Sequence, residues 1–201
     1  MKCRPLFFLL VLFTSCKTLY RYDYKTSVRD ATPDNKMTYE NDSLRISFFI
    51  EPKYIAFRLD NKLPSPLYVN WDDAVVMIDK EHHKVMRTDM GMFREYERQA
   101  PTVISPGSYT RSQFVPVRNL KVEEIGEATV LNVTPFLPAQ DKGDKILAAK
   151  IHGMKGSVME LQFPLHANGK NFTKTFYITI DTVIATKTGS RLFLQKNQHP
   201  K

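Results

Sequence analysis

Apolar side chains recur at every second position on both sides of one Asn-Gly step near the end of this chain. Leu161, Phe163 and Leu165 precede Asn168-Gly169, and Phe172, Phe176, Ile178 and Ile180 follow it. A two-residue type I′ turn needs positive φ at both central positions, which Asn and Gly adopt at least cost, and its twist suits antiparallel strands. The pattern demands a hairpin with one apolar face, and such a face must be covered by more sheet. The residues upstream supply it. Leu44, Ile46, Phe48 and Ile50 alternate with other neighbours, and Ile55, Phe57 and Leu59 resume the alternation beyond Pro52-Lys53. Leu67, Val69 and Trp71 point one way while Tyr68, Asn70 and Asp72 point the other. Residues 75–79 read as a short buried strand with 85–87 as its hairpin mate, 109–117 as a further strand, and 146–150 as a short helix. Asn61 to Pro66, with two prolines close together, reads as a loop. Seven or eight short strands and no long amphipathic helix predict an all-β fold, a single antiparallel β-sandwich over residues 39–186. A lipocalin-like barrel is the alternative, because period-two alternation does not separate the two.

Composition permits a real core. The 201 residues are 42% hydrophobic and 25% charged, with 13 Phe, nine Tyr and one Trp, which excludes wholesale disorder. Two Cys exclude a disulfide-rich scaffold and a four-thiolate zinc site.

The start of the chain sets the compartment. Lys2 and Arg4 precede an unbroken apolar run from Leu6 to Phe13, too short for a bilayer span of ~20 helical residues. A basic start, a short apolar stretch and small residues read as a secretory signal, residues 1–15. Phe13-Thr14-Ser15-Cys16 resembles the lipobox of bacterial lipoproteins. The resemblance implies that Cys16 becomes the acylated first residue of the mature chain, with a membrane as its partner. Lys17-Thr18-Leu19-Tyr20-Arg21 carries neither the Asp of an inner-membrane retention signal nor the acidic cluster of surface-exported lipoproteins. The periplasmic face of an outer membrane is the expected location. Residues 16–38, where Tyr20, Tyr22 and Tyr24 interleave with charge, are expected to form a lipidated tether.

The formal charge of +8 invites a nucleic-acid reading, which its distribution removes. Loss of Lys2 and Arg4 with the signal leaves 27 basic and 21 acidic residues. Residues 16–100 hold 14 of each sign, while Lys187, Arg191, Lys196 and Lys201 supply four of the remaining excess of six. The charge belongs chiefly to a basic tail, residues 187–201, on a secreted protein. Its expected counterpart is an anionic membrane surface or envelope polymer, not a nucleic acid.

Longer stretches carry a second resemblance. Phe57-Arg58-Leu59-Asp60-Asn61-Lys62, Pro66-Leu67-Tyr68-Val69-Asn70-Trp71-Asp72, Met77-Ile78-Asp79 and Pro101-Thr102-Val103-Ile104-Ser105-Pro106-Gly107-Ser108 resemble segments of uncharacterised bacterial lipoproteins of Bacteroidota type. The resemblance covers residues 44–180 unevenly and implies a sandwich-like β domain on a lipid anchor. It implies no activity and no catalytic residues.

Motifs for chemistry are sparse. The five histidines show no spacing that gathers metal ligands on one face, and His82 and His83, being adjacent, diverge on a strand. No metal and no cofactor are expected. The sequence holds no Gly-x-Ser-x-Gly elbow and no Walker-type loop. Asp72 and Asp73 diverge in the same way and read as a strand end bonding its own backbone. Trp71 reads as core, with a sugar-stacking platform as the other possibility. Arg94, Tyr96 and Arg98 lie in a charge-alternating stretch whose default is a solvated face, yet Arg and Tyr are the side chains that anchor interfaces. These three are the candidate partner-binding residues. The expected function is a non-catalytic binding, scaffold or assembly role in the envelope, with another envelope protein or a glycan as partner. A carbohydrate- or peptidoglycan-binding module and a hydrolase without a recognisable motif are the alternatives.

Overall fold

The structure, a computed structural model, describes residues 18–89, 98–125, 128–141, 143 and 145–190. Cys16, Arg94 and Tyr96 lie outside the described residues. The strands in chain order are β1 (Thr18–Val28), β2 (Ala31–Thr32), β3 (Asn35–Glu40), β4 (Leu44–Ile50), β5 (Ile55–Asn61), β6 (Leu67–Val69), β7 (Val75–Ile78) and β8 (Glu81–Arg87). There follow β9 (Thr102–Ile104), β10 (Tyr109–Pro116), β11 (Leu120–Ile125), β12 (Ala128–Val133), β13 (Gln140–Asp141), the helix α1 (Lys145–Gly153), β14 (Val158–Ala167) and β15 (Lys170–Ser190).

The fold is all-β, and the strand pairs described are antiparallel. The main sheet runs β13-β1-β15-β14-β7-β8-β10-β5-β4-β3-β2, with β11 and β12 forming a separate hairpin. It is one strongly curved, nearly closed, barrel-like sheet whose two halves face each other across a common core. Near the seam between β1 and β3, the Thr26 hydroxyl donates to the Met37 sulfur at 3.1 Å. At β14 the sheet forks. β7 pairs with Glu160–Gln162, while β6 pairs with Leu165 and His166 and carries β9 on its far side. The interruption between β6 and β7 falls at Trp71, whose indole turns into the core and is fully buried.

The alternation read from the sequence is the alternation that packs. Leu44, Ile46 and Phe48 of β4, Ile55, Phe57 and Leu59 of β5, and Met159, Leu161, Phe163 and Leu165 of β14 all face inward. Phe163 is the hub. Its ring centroid lies 5.6 Å from those of Phe57 and Trp71, 5.8 Å from Phe114 and Phe176, and 6.3 Å from Phe48. Burying one such side chain contributes roughly 1.5–3 kcal/mol, and well-oriented ring pairs add about 0.5–1.5 kcal/mol.

Three expectations change. The tether is sheet from Thr18 onward, because β1 pairs with β15 along its whole length. Tyr22 is buried, and the Tyr24 hydroxyl donates to the Pro138 carbonyl at 2.6 Å. An aromatic at every second position makes a strand worth burying. The segment called a basic tail begins inside the fold, with residues 187–190 completing β15. Asn61 is not loop but the inward-facing end of β5. Its amide donates to Ser65 O at 2.8 Å and Ile104 O at 2.9 Å, and its carbonyl accepts from Leu63 N at 2.9 Å. A buried amide with these bonds made costs little and fastens β5 to β9.

Candidate functional site: a polar groove beside β6 and β14

The register of β9, β6, β14 and β15 places Val103, Tyr68, His166 and Asn171 in one row across four strands. Alternation turns Leu67, Val69 and Leu165 inward, so this row faces out. Tyr68 is 37% exposed and meets His166 edge-on, with ring centroids 5.6 Å apart at 70°. The His166 Nδ1 lies 2.7 Å from the Asn171 side-chain oxygen. With that oxygen as acceptor, Nδ1 carries the proton and Nε2 of the neutral ring is left as an acceptor. Beside the row opens a groove of about 520 Å³, lined by Tyr68, His166, Asn70, Asp72, Arg98 and Pro101 among others.

Its floor is held by a network anchored on Trp71. The indole N–H donates to Thr102 Oγ1 at 2.8 Å, and Arg87 Nη1 donates to the same hydroxyl at 2.8 Å. The Arg87 guanidinium also lies 5.4 Å from the Trp71 ring and grips Asp89 by two bonds, at 2.9 and 2.7 Å. Burial alone would push the Asp89 carboxyl up. The bonds from Arg87 and from Ser112 outweigh it and hold that carboxyl below its ordinary range. Gln99 is the second post. Its backbone N–H donates to Asp72 Oδ1 at 2.7 Å, its side-chain oxygen accepts from Arg87 N at 3.0 Å, and its amide donates to Val85 O at 2.8 Å. These bonds fix the approach of the chain into the groove at Arg98, which is exposed and makes no hydrogen bond or ion pair with the described residues.

Asp72 and Asp73 are employed separately. Asp72 accepts from Gln99 rather than from its own backbone, and Asp73 Oδ2 accepts from Asn70 Nδ2 at 2.6 Å. Of the three partner-binding residues expected from sequence, only Arg98 is described, and the structure brings it to Tyr68 and His166. The outward set Tyr68, Asn70 and Asp72 was visible in the β6 alternation. His166 was not, because only the pairing of β14 with β6 puts it there. Among the described residues, no group of three or more His, Cys, Asp or Glu is placed to hold a metal ion. His82 and His83 lie on the arm of the β7–β8 hairpin, whose two-residue turn is Asp79-Lys80 with φ of 53° and 69°.

Chemically the groove offers an aromatic ring, an exposed guanidinium and an imidazole on a framework held by its own hydrogen bonds. That set recognises hydroxyl-rich or amide-rich ligands by stacking and directional bonds. No helix among the described residues is long and apolar enough to cross a membrane. Comparison with protein-family models, with curated proteins and with solved structures finds no match to this chain.

Proposed function

We propose that the protein is a non-catalytic binding component of a bacterial cell envelope, tethered by lipid on Cys16 to the periplasmic face of the outer membrane. Its groove takes a hydroxyl- and amide-rich polymer, a glycan or peptidoglycan strand. The observation that carries this reading is the outward row of Tyr68 and His166 with Arg98 beside them. A partly exposed ring and an exposed guanidinium line the same groove, above a floor braced by the Trp71, Arg87 and Gln99 hydrogen bonds. The anchor reading draws on Phe13-Thr14-Ser15-Cys16 and on the position of β1, which starts two residues after Cys16. A domain so close to an acylated cysteine would stand directly on the bilayer, within reach of envelope polymers.

The test uses the mature chain carrying Cys16→Ser, incubated with purified peptidoglycan sacculi and with neutral polysaccharides. Retention on one of these should fall about tenfold in Tyr68→Ala and in Arg98→Ala, equivalent to about 1.4 kcal/mol each. Failure of the chain to bind any of them, or equal binding by both variants, rejects the groove. Incorporation of labelled palmitate into the wild-type chain but not into Cys16→Ser checks the anchor separately.

A further inference from the structure

The outer face of β4, β5 and β10 carries a second concavity, formed where small side chains fall between large ones. Alternation turns Ile46, Phe48, Phe57 and Leu59 inward, so the register across these strands sets three outward rows. Arg45, Asp60 and Tyr109 form the first, Ser47, Arg58 and Arg111 the second, and Phe49, Ala56 and Gln113 the third. Neighbouring strands lie about 4.8 Å apart, so Phe49 and Gln113 stand roughly 10 Å from each other with only the Ala56 methyl between them. The result is a groove of about 550 Å³, walled by Phe49, Arg58, Arg111 and Gln113 over Ala56. It shares no residue with the groove beside β6 and β14.

One wall is apolar and the other cationic. Phe49 is 59% exposed. Opposite it, the Arg58 and Arg111 guanidiniums lie 4.0 and 5.3 Å from the centroid of the Tyr109 ring, which holds the two charges side by side. Arg58 is paired with Asp60 at 2.7 Å, and Arg45 and Lys62 share Glu40 at 3.6 and 2.9 Å. Asp89, at the margin of the groove, is taken by Arg87 and Ser112. Arg111 is exposed and has no carboxylate partner among the described residues. Five cations therefore stand with three carboxylates, and the surplus lies beside an exposed apolar ring.

We propose that this groove is an interaction surface for an extended acidic segment of another protein, one that places an apolar side chain two residues from a carboxylate. Side chains two apart on an extended chain lie about 6.7 Å from each other on one face, and so do the second and third rows of this surface. A segment laid along the strands sets its apolar side chain on Ala56 beside Phe49 and brings its carboxylate to Arg58 and Arg111. The Arg111 guanidinium offers the planar fork that grips a carboxylate by two parallel bonds. Gln113 supplies an amide for the backbone of the segment. A neutral glycan leaves the charge surplus unanswered, and an acidic glycan brings no apolar side chain to the trough. Neither the lipid anchor nor the polymer groove takes part in this surface.

The experiment titrates the mature chain carrying Cys16→Ser with the peptide acetyl-Leu-Thr-Glu-Thr-Leu-amide and follows backbone amide shifts by NMR. The peptide has the same side-chain order in both directions, so the outcome does not depend on which way it lies. Shifts are expected at Phe49, Ala56, Arg58, Arg111 and Gln113 at millimolar peptide, weakening as salt is raised. Arg111→Gln should weaken binding about fivefold, as should Phe49→Ser. Ala56→Trp fills the trough from the outer face and should abolish binding. All three side chains point away from the core, and unaltered thermal midpoints verify that the fold is intact. Tyr68→Ala should leave the titration unchanged, which separates this surface from the groove beside β6 and β14. No shifts at millimolar peptide, equal binding of the peptide with Gln in place of Glu, or full binding by Ala56→Trp overturns the proposal. So does self-association of the chain that Ala56→Trp abolishes, since the occupant would then be a second copy.

Discussion

Phe163 and Asn61 carry opposite chemistry to the same core. Phe163 is 1% exposed and touches five other aromatic rings contributed by β4, β5, β10, β15 and the β6–β7 connection. Truncation to Ala should cost about 3–5 kcal/mol, because rings fixed on five separate elements relax little into the space it leaves. Equilibrium urea unfolding of Phe163→Ala against wild type checks this, and a loss below about 1 kcal/mol would show that the core collapses around the gap. Asn61 is 2% exposed, and its side chain makes three hydrogen bonds to backbone. Asn61→Ala should cost about 1–3 kcal/mol by orphaning the Ile104 carbonyl. Asn61→Asp should be no better, since a carboxylate has no N–H to offer Ser65 and Ile104. Unfolding midpoints of the two variants decide it, and full stability in either excludes the amide as the fastening between β5 and β9.

At the level of elements, the β14–β15 hairpin and the β1 strand differ in how openly they were written. Asn168 and Gly169 sit at φ of 51° and 71°, as the type I′ turn requires. Gly169→Ala places a Cβ in the left-handed region, where about 1–2 kcal/mol is lost. A fall in Tm of about 2–4 °C per kcal/mol is expected for a protein of this size, with no change in ligand retention. β1 looked like a spacer because its middle carries tyrosines rather than aliphatics, interleaved with Arg21, Asp23 and Lys25, while its buried aliphatics, Leu19 and Val28, stand at its two ends. Yet aromatics at every second position satisfy the same period. The structure buries Tyr22 and finds a carbonyl for the Tyr24 hydroxyl. The end of β15 was hidden for another reason. Thr182, Thr186 and Thr188 are exposed, so no apolar face marks it, and it is strand because β1 pairs with it. The groove divides in the same way. Tyr68, Asn70 and Asp72 follow from local alternation, while His166 and Arg98 arrive through the β6–β14 pairing and the Gln99 bonds. Those are long-range facts that no window of sequence contains. A chain starting at residue 31 separates spacer from strand. Loss of a spacer leaves Tm unchanged, whereas loss of β1 strips the edge of β15 and should give an insoluble or unfolded product by circular dichroism and light scattering.

Taken as one cooperative unit, the molecule couples these local features to pH through two groups at opposite ends of β8. Burial holds the His83 imidazole below its ordinary value of 6.5, helped by the Arg118 charge and opposed by Glu81, whose carboxylate is 3.7 Å away. The folded state therefore takes up a proton less readily than the unfolded chain. Above 6.5 neither state binds it and His83 adds no pH dependence. As pH falls below 6.5 the unfolded chain gains the proton first, and stability declines until the lowered folded value is reached. Asp89 works at lower pH. Its folded carboxyl is held below 3.8 by Arg87 and Ser112 against the pull of burial, so its contribution is complete above 3.8 and disappears as pH falls through the lowered value. Urea midpoints measured from pH 8 to pH 3 should accordingly show two separate declines. His83→Gln should flatten the one that begins near 6.5 and leave the acid limb in place. Asp89→Asn should lower stability at neutral pH and flatten the acid limb, since the neutral amide cannot hold the Arg87 guanidinium that braces Thr102 and Trp71. If His83→Gln leaves the decline below 6.5 unchanged, another group governs it and the burial of His83 has no weight in folding.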